Sequence, residues 1–324
     1  MRGAVEATVW CSSSSSRTRR LTAAALCVVA AGLAGCGVGA GEQQHVDLLV
    51  TQDFGHVPVD GGEQTIEAPS SDTVMRVLQR AHTVTTRYGG NFVQSIDGIS
   101  GKGSRQLDWF FYVNGTLADK SATAIKPRRG DSIWWDRHDW HLTADVRAVV
   151  GSFPEPFLHG KDGKRFPVRL ECADAAQKAC DIATAKLSDA GVGVVARARI
   201  GTTGGDSSLR VLVGPWPAIR PDFVARKLET GPASSGVFAK LSSDGRTLSL
   251  LDARGRVVRT AAPGTGLVAA AENTDVEAAP IWLVTGVDEA GVEQAAAALT
   301  EDALNGKFAV AIHDDVPTAL PIAP

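Results

Sequence analysis

The stretch LDWFFYVNGTLADKSATAIKPRRGDSIWWDRHDWH, residues 107–141, decides how this chain is read. It holds four of the seven tryptophans, Trp109, Trp134, Trp135 and Trp140. Trp109-Phe110-Phe111-Tyr112-Val113 has the composition of a strand, and Asn114-Gly115 is the dipeptide best suited to the positive φ angles of a tight hairpin turn. A second turn, residues 126–131, leads into Ser132-Ile133-Trp134-Trp135-Asp136. Two strands aromatic on both faces belong in a sheet with one face packed. The other face needs a cover, either more of the chain or a ligand.

Outward from this stretch, His45 to Thr51 reads as a first strand and Gln64 to Ala68 as a second. Ser70-Ser71-Asp72 supplies N-cap candidates for a short helix with Val74, Val77, Leu78 and Ala81 on one face. Thr83 to Thr86 follows, then a strand from Phe92 that ends in an Asp97-Gly98 turn. The order of strand, strand, helix and strands predicts a β-grasp-like α+β domain over residues 45–142, with the helix across one face of a mixed sheet.

The pieces TVMRVL (73–78), YGGNFV (88–93), SIDGI (95–99), WFFYVNG (109–115) and GDSIWW (130–135) resemble, in order and spacing, the transcobalamin-like C-terminal domain family. Those β-grasp domains are found in many bacterial surface lipoproteins. The resemblance implies the fold for residues 45–142. In vertebrate cobalamin carriers the related domain closes over a corrinoid, so a cobalamin-like ligand enters by analogy only. Residues 136–141 go beyond the shared pattern.

The N-terminus reads as an export signal. Arg17, Arg19 and Arg20 flank an uncharged apolar run, residues 21–33, that is too short to span a bilayer comfortably. Leu33-Ala34-Gly35-Cys36 resembles the lipobox of bacterial lipoproteins, which implies a signal peptide over residues 1–35, lipidation (diacylglycerol, palmitate) at Cys36 and a tether over residues 36–44. The alternative is an ordinary secretory signal. The expected location is the cell membrane, lipid-anchored and facing outward. Residues 1–35 carry four arginines and one glutamate, a net +3; with −3 overall, the rest of the chain is near −6, which argues against a nucleic-acid partner. Cys11 and Cys27 fall in the signal, so Cys172 and Cys180 remain. An even pair outside the cytoplasm predicts a disulfide, the alternative being two buried thiols.

Residues 143–164 read as a stiff connector around Phe153-Pro154-Glu155-Pro156-Phe157. Residues 165–315 alternate as strand (166–171), helix (174–190), strand (194–200), strand (209–213), short helix (222–229) and strand (237–241). That βαββαβ order predicts a ferredoxin-like α+β domain. A meander and a further strand–helix–strand piece follow, and residues 316–324 read as a frayed tail.

The chemistry legible in the sequence is that of binding. Trp109, Tyr112, Asn114, Trp134, Trp135 and Trp140 are the candidate ligand-binding residues: rings supply flat apolar area while the hydroxyl, amide and indole N–H groups set orientation. The bland alternative is that they are core. His138 and His141, with Asp136 or Asp139, carry metal-ligand chemistry, but on one extended segment the two imidazoles diverge, so no metal is assigned. Gly201 to Asp206 is glycine-rich without a phosphate-loop lysine, and Asp288 fills an N-cap role at the helix after Thr285-Gly286. No catalytic signature or resident cofactor is found. The expectation is a non-catalytic, membrane-anchored small-ligand-binding protein working with an uptake transporter. A structural or protein-interaction scaffold at the envelope is the alternative.

Overall fold

Apolar side chains on both faces of successive strands require two covers, and the computed structural model of the protein supplies both. It describes residues 41–144, 146–193, 195–201, 208–272 and 279–323. The export signal, Cys36 and residues 202–206 of the glycine-rich loop lie outside the described residues.

The first half contains β1 (Gln43–Gln52), β2 (Val57–Pro58), β3 (Gln64–Pro69), α1 (Val74–Ala81), β4 (Val84–Arg87), β5 (Phe92–Ile96), β6 (Ile99–Ser100), β7 (Leu107–Val113), β8 (Thr116–Leu117) and β9 (Ser132–Asp139). β1 and β9 run parallel at the centre of a mixed sheet, with Leu49 opposite Trp134 and Val50 opposite Trp135. β3 flanks β1 and β7 flanks β9, both antiparallel. Alternation along the strands splits the apolar residues. Val50, Trp109, Ile133 and Trp135 pack with Val74, Val77 and Leu78 of α1. Leu49, Tyr112 and Trp134 face the other way. Asn114 and Gly115 adopt φ of 51° and 72°, as the hairpin reading requires. The helix cap differs from expectation. Thr73 caps α1 by accepting from Arg76 N, while Asp72 receives Arg80 Nε at 2.6 Å.

The second half contains β10 (Val168–Cys172), α2 (Gln177–Asp189), β11 (Val195–Arg199), β12 (Leu209–Val213), α3 (Trp216–Ile219), α4 (Pro232–Ser235), β13 (Ala239–Leu241), β14 (Leu248–Leu251), β15 (Val257–Thr260), β16 (Gly266–Ala271), β17 (Ile281–Gly286), α5 (Glu289–Ala297), α6 (Glu301–Leu304), β18 (Ala309–His313) and β19 (Val316–Leu320). Its main sheet has the order β11-β10-β12-β17-β16-β18-β19. This corrects the ferredoxin-like expectation. β10, β11, β12 and β17 are mutually parallel neighbours, and β13 leaves to pair with β14 in a separate antiparallel sheet. The physical reason lies in β17: every residue from Ile281 to Gly286 is buried, the mark of a strand covered on both faces, so it takes the place beside β12. The coarse class is mixed α and β, mostly sheet with few helices. The expected tail is corrected too, since β19 pairs with β18 from Val316 to Leu320.

One face of the second sheet is covered by α2 and α5 through Ala179, Ala183, Leu187, Val292 and Ala295. Its other face meets the first sheet: Leu267, Leu283 and Phe308 share a core with Leu49, Tyr112 and Trp134. From the stretch 143–164, Val146 and Val149 join this inter-sheet core, while Val150, Phe153 and Phe157 pack into the core on the helix side. Residues 40–324 fall within one compact unit.

Cys172 and Cys180 form a disulfide that ties the end of β10 to the first turns of α2. The loop is short, so replacing both by serine is expected to lower unfolding free energy by about 2–3 kcal/mol under oxidising conditions; denaturant titration checks this. Phe308→Ala removes a ring at the inter-sheet core and is expected to cost about 3–5 kcal/mol in the same assay.

Candidate functional site

The residues expected to bind a ligand are placed mainly in the interior. Trp109, Tyr112, Asn114, Trp134 and Trp135 are 5%, 0%, 1%, 0% and 2% exposed. Trp135 and Trp109 lie under α1, and Trp134 and Tyr112 lie between the sheets. This corrects the expectation of an aromatic binding platform: the second face found its cover in the protein's own second sheet. Trp140 is only half-buried, and its indole N–H donates to Asp108 Oδ2 at 2.9 Å. Asn114 acts as a tie between loops. Its amide nitrogen donates to Asp131 Oδ1 at 2.8 Å and to the Gly160 carbonyl at 2.9 Å, and its oxygen accepts from Ser132 N at 2.9 Å.

The polar run at 136–141 divides in the same way. Asp136 is fully buried and accepts from Thr51 Oγ1, Phe54 N, Gly55 N and His138 Nδ1 at 2.5, 3.1, 2.9 and 2.8 Å. Trp134 Nε1 donates to the same Thr51 hydroxyl at 2.8 Å. The His138 ring is stacked between Phe54 and Phe110, with centroids 4.6 and 4.5 Å away. Its Nε2 and the Tyr112 hydroxyl have no hydrogen-bond partner. Burial, reinforced by the Asp136 charge, pushes the Tyr112 phenol well above its ordinary range, so it stays neutral. His141, in contrast, is exposed and bonds Gln106 Oε1. The two histidines therefore point apart. Among the described residues, no group of three or more His, Cys, Asp or Glu is arranged to hold a metal.

A concave site with polar chemistry lies where the sequence was read as a connector. A cleft of about 480 Å³ runs between β1, β3, the stretch 152–159 and α6. Its lining holds four carboxylates, Asp47, Glu63, Glu155 and Glu301, with His159, Ser152 and Asn305, and neither lysine nor arginine. Two rim carboxylates are oriented by neighbours. Thr65 Oγ1 donates to Asp47 at 2.8 Å, and Asn305 Nδ2 donates to Glu63 at 2.6 Å. Glu155 is the buried one, 4% exposed. It accepts from His159 twice, at 2.9 Å from the backbone N–H and 2.5 Å from Nδ1. Gly130 lets the imidazole come this close: at φ +81° it holds a conformation suited to glycine, and a Cβ there would lie 2.6 Å from the ring. Desolvation raises the Glu155 carboxyl above its ordinary value, against the lowering effect of its His159 hydrogen bonds, and the nearby Asp131 charge adds to the rise.

Sequence reasoning missed this site. The available signal was a glutamate between two prolines with a histidine four residues on, Pro154-Glu155-Pro156 and His159. The other helix-terminus reading holds locally, with Asp288 accepting from Gly291 N at 2.8 Å and from Gly264 N at 2.8 Å.

A family model described as a domain of unknown function, DUF4430, matches residues 71–139, from just before α1 to the end of β9. No curated protein matches the chain. Two solved structures resemble part of it. A protein from Ruminococcus gnavus named "putative metal binding protein" aligns at 18% identity with a TM-score of 0.24, over 30% of this chain and 97% of that one. Haptocorrin in complex with Cbi aligns at 13% identity with a TM-score of 0.25, over 30% of this chain and 26% of that one. Likeness this slight carries no argument about a ligand.

Glu155 makes a pH-dependent contribution with a defined sign. A carboxyl whose folded-state pKa is raised favours the folded state while protonated, and that stability is lost as pH rises from the ordinary glutamate range through the raised value. Glu155→Gln is therefore expected to flatten the fall in melting temperature over this window relative to the parent. Parallel curves for the two proteins would show that Glu155 does not titrate there.

Proposed function

We propose that the chain is an extracytoplasmic lipoprotein, anchored through lipid on Cys36, that binds a small ligand without catalysis and presents it to an uptake transporter. The observation that carries the binding part is the cleft beside the Glu155–His159 pair: concave, carboxylate-lined and without cationic side chains. Such a lining favours a small cationic ligand or one rich in hydrogen-bond donors, and an organic amine fits both descriptions. The mixed sheet, with β1 and β9 parallel at its centre and α1 across one face, supports the β-grasp reading of the first half. A corrinoid-like ligand rests on the family resemblance alone. A flat macrocycle would stack on exposed rings, and of the aromatic residues singled out for that role only Trp140 has a substantial accessible surface.

A specific observation also favours a second reading, a structural or interaction scaffold at the envelope. Trp134 and Tyr112 join the two sheets and Trp109 and Trp135 pack against α1, so these four rings serve cohesion rather than capture.

Calorimetric titration of the form beginning at Gly37 with spermidine, calcium and a corrinoid separates these readings. The expected result is saturable binding of spermidine, weakened at least about tenfold by Glu155→Gln and unchanged by Trp140→Ala. Binding of the corrinoid instead, lost in Trp140→Ala, would move the site away from the cleft. No binding of any of the three would favour the scaffold.

A further inference from the structure

We infer that the loops 126–131 and 160–165 form a membrane-facing surface that contacts anionic phospholipid headgroups. The inference rests on the reading that Cys36 carries the lipid. These two segments hold six basic side chains, Lys126, Arg128, Arg129, Lys161, Lys164 and Arg165, against two acidic ones, Asp131 and Asp162. Asp131 is buried and occupied by Asn114 and the Arg128 backbone N–H. The rest of the chain beyond residue 35 is strongly acidic, so this is a local reversal of sign.

Four hydrogen bonds bring the two loops and the start of β1 to one place. Arg128 Nη1 donates to the Gly163 carbonyl at 2.6 Å, which joins the loops. Arg129 Nη2 donates to the Gln43 carbonyl at 2.8 Å and to Glu42 Oε1 at 3.1 Å. Gln44 Nε2 donates to the Pro127 carbonyl at 2.8 Å. The basic surface therefore surrounds the point at which the chain enters its first strand. From Cys36 to Gln43 there are seven Cα-to-Cα steps, which reach at most about 25 Å. An acylated Cys36 would hold the start of β1, to which the basic loops are hydrogen-bonded, within that distance of the bilayer.

The chemistry matches the place. Lys126, Arg128, Arg129, Lys164 and Arg165 are exposed. Clustered basic side chains beside a membrane anchor are attracted by anionic lipid, which would orient a surface that the lipid on Cys36 has already brought to the bilayer. Lys164 also keeps its ammonium 5.1 Å from the centre of the Phe166 ring, which holds that charge at the surface of the turn.

The test uses the form beginning at Gly37, which keeps the whole compact unit of residues 40–324 and carries no lipid. Its sedimentation with vesicles of phosphatidylglycerol and phosphatidylcholine is compared with pure phosphatidylcholine vesicles. Preferential binding to the anionic vesicles, abolished by high salt, is expected. Lys126→Glu, Lys164→Glu and Arg165→Glu should each weaken it about fivefold or more, with melting temperature unchanged. Lys240→Glu, at the one exposed position of β13, serves as a control and should leave binding intact. Equal binding to both vesicle types, no binding to either, or anionic binding indifferent to the three reversals would each overturn the inference. Lipid labelling of the full chain, with and without Cys36→Ser, separately tests the anchor on which it rests.

Discussion

Phe308 meets four rings edge-on: Phe54, Trp134, His138 and Tyr112, with centroids 5.1, 5.1, 5.3 and 5.7 Å away. All four come from the first sheet and its β1–β2 turn. Phe308 itself leads into β18 of the second sheet. Edge-to-face geometry sets the ring edge against the electron-rich faces, so these contacts add direction to the burial of apolar area. Because one ring is shared by side chains from both sheets, neither sheet can be separated without exposing Trp134 and Tyr112. The buried Asp136 depends on the same closure. Its four donors satisfy it in a place where water is excluded and an unpaired carboxylate would be strongly destabilising.

Much of the first half was legible because its local and long-range signals agree. Alternation put Trp134 and Trp135 on opposite faces, Asn114-Gly115 marked the hairpin, and the i, i+3, i+4 spacing of Val74, Val77 and Leu78 gave α1 its buried side. What alternation leaves open is the identity of the cover. A tryptophan facing a ligand and a tryptophan facing another sheet have the same sequence pattern. The second half misled for a related reason. The order of strands and helices was read well, but pairing is a long-range property. Leu209 to Val213 has β10 on one side and β17, some seventy residues later, on the other. The apolar run Ile281 to Val284 was the available hint of a parallel strand covered on both faces.

The cleft was hidden by a different effect. Prolines beside Glu155 look like connector punctuation, and acidic side chains on loops are ordinary in solvent. Only the fold reveals that Glu155 is buried, that Gly130 has made room for the His159 ring, and that Asp47 and Glu301, far apart in sequence, share one rim. The basic loops across the same end were visible as residues but not as a surface. The contacts of Arg128 with Gly163 and of Arg129 with Gln43 turn three separated segments into one.

The shared core also fixes an order of events as the chain is made. β9 can pair with β1 once residue 139 is available, and α1 can then cover the Trp135 side. The Trp134 side has to wait for Phe308 and the strands around it, which lie far later in the chain. Through that interval a band of Leu49, Tyr112 and Trp134 remains wet and adhesive. This is the period in which escort by other proteins matters most.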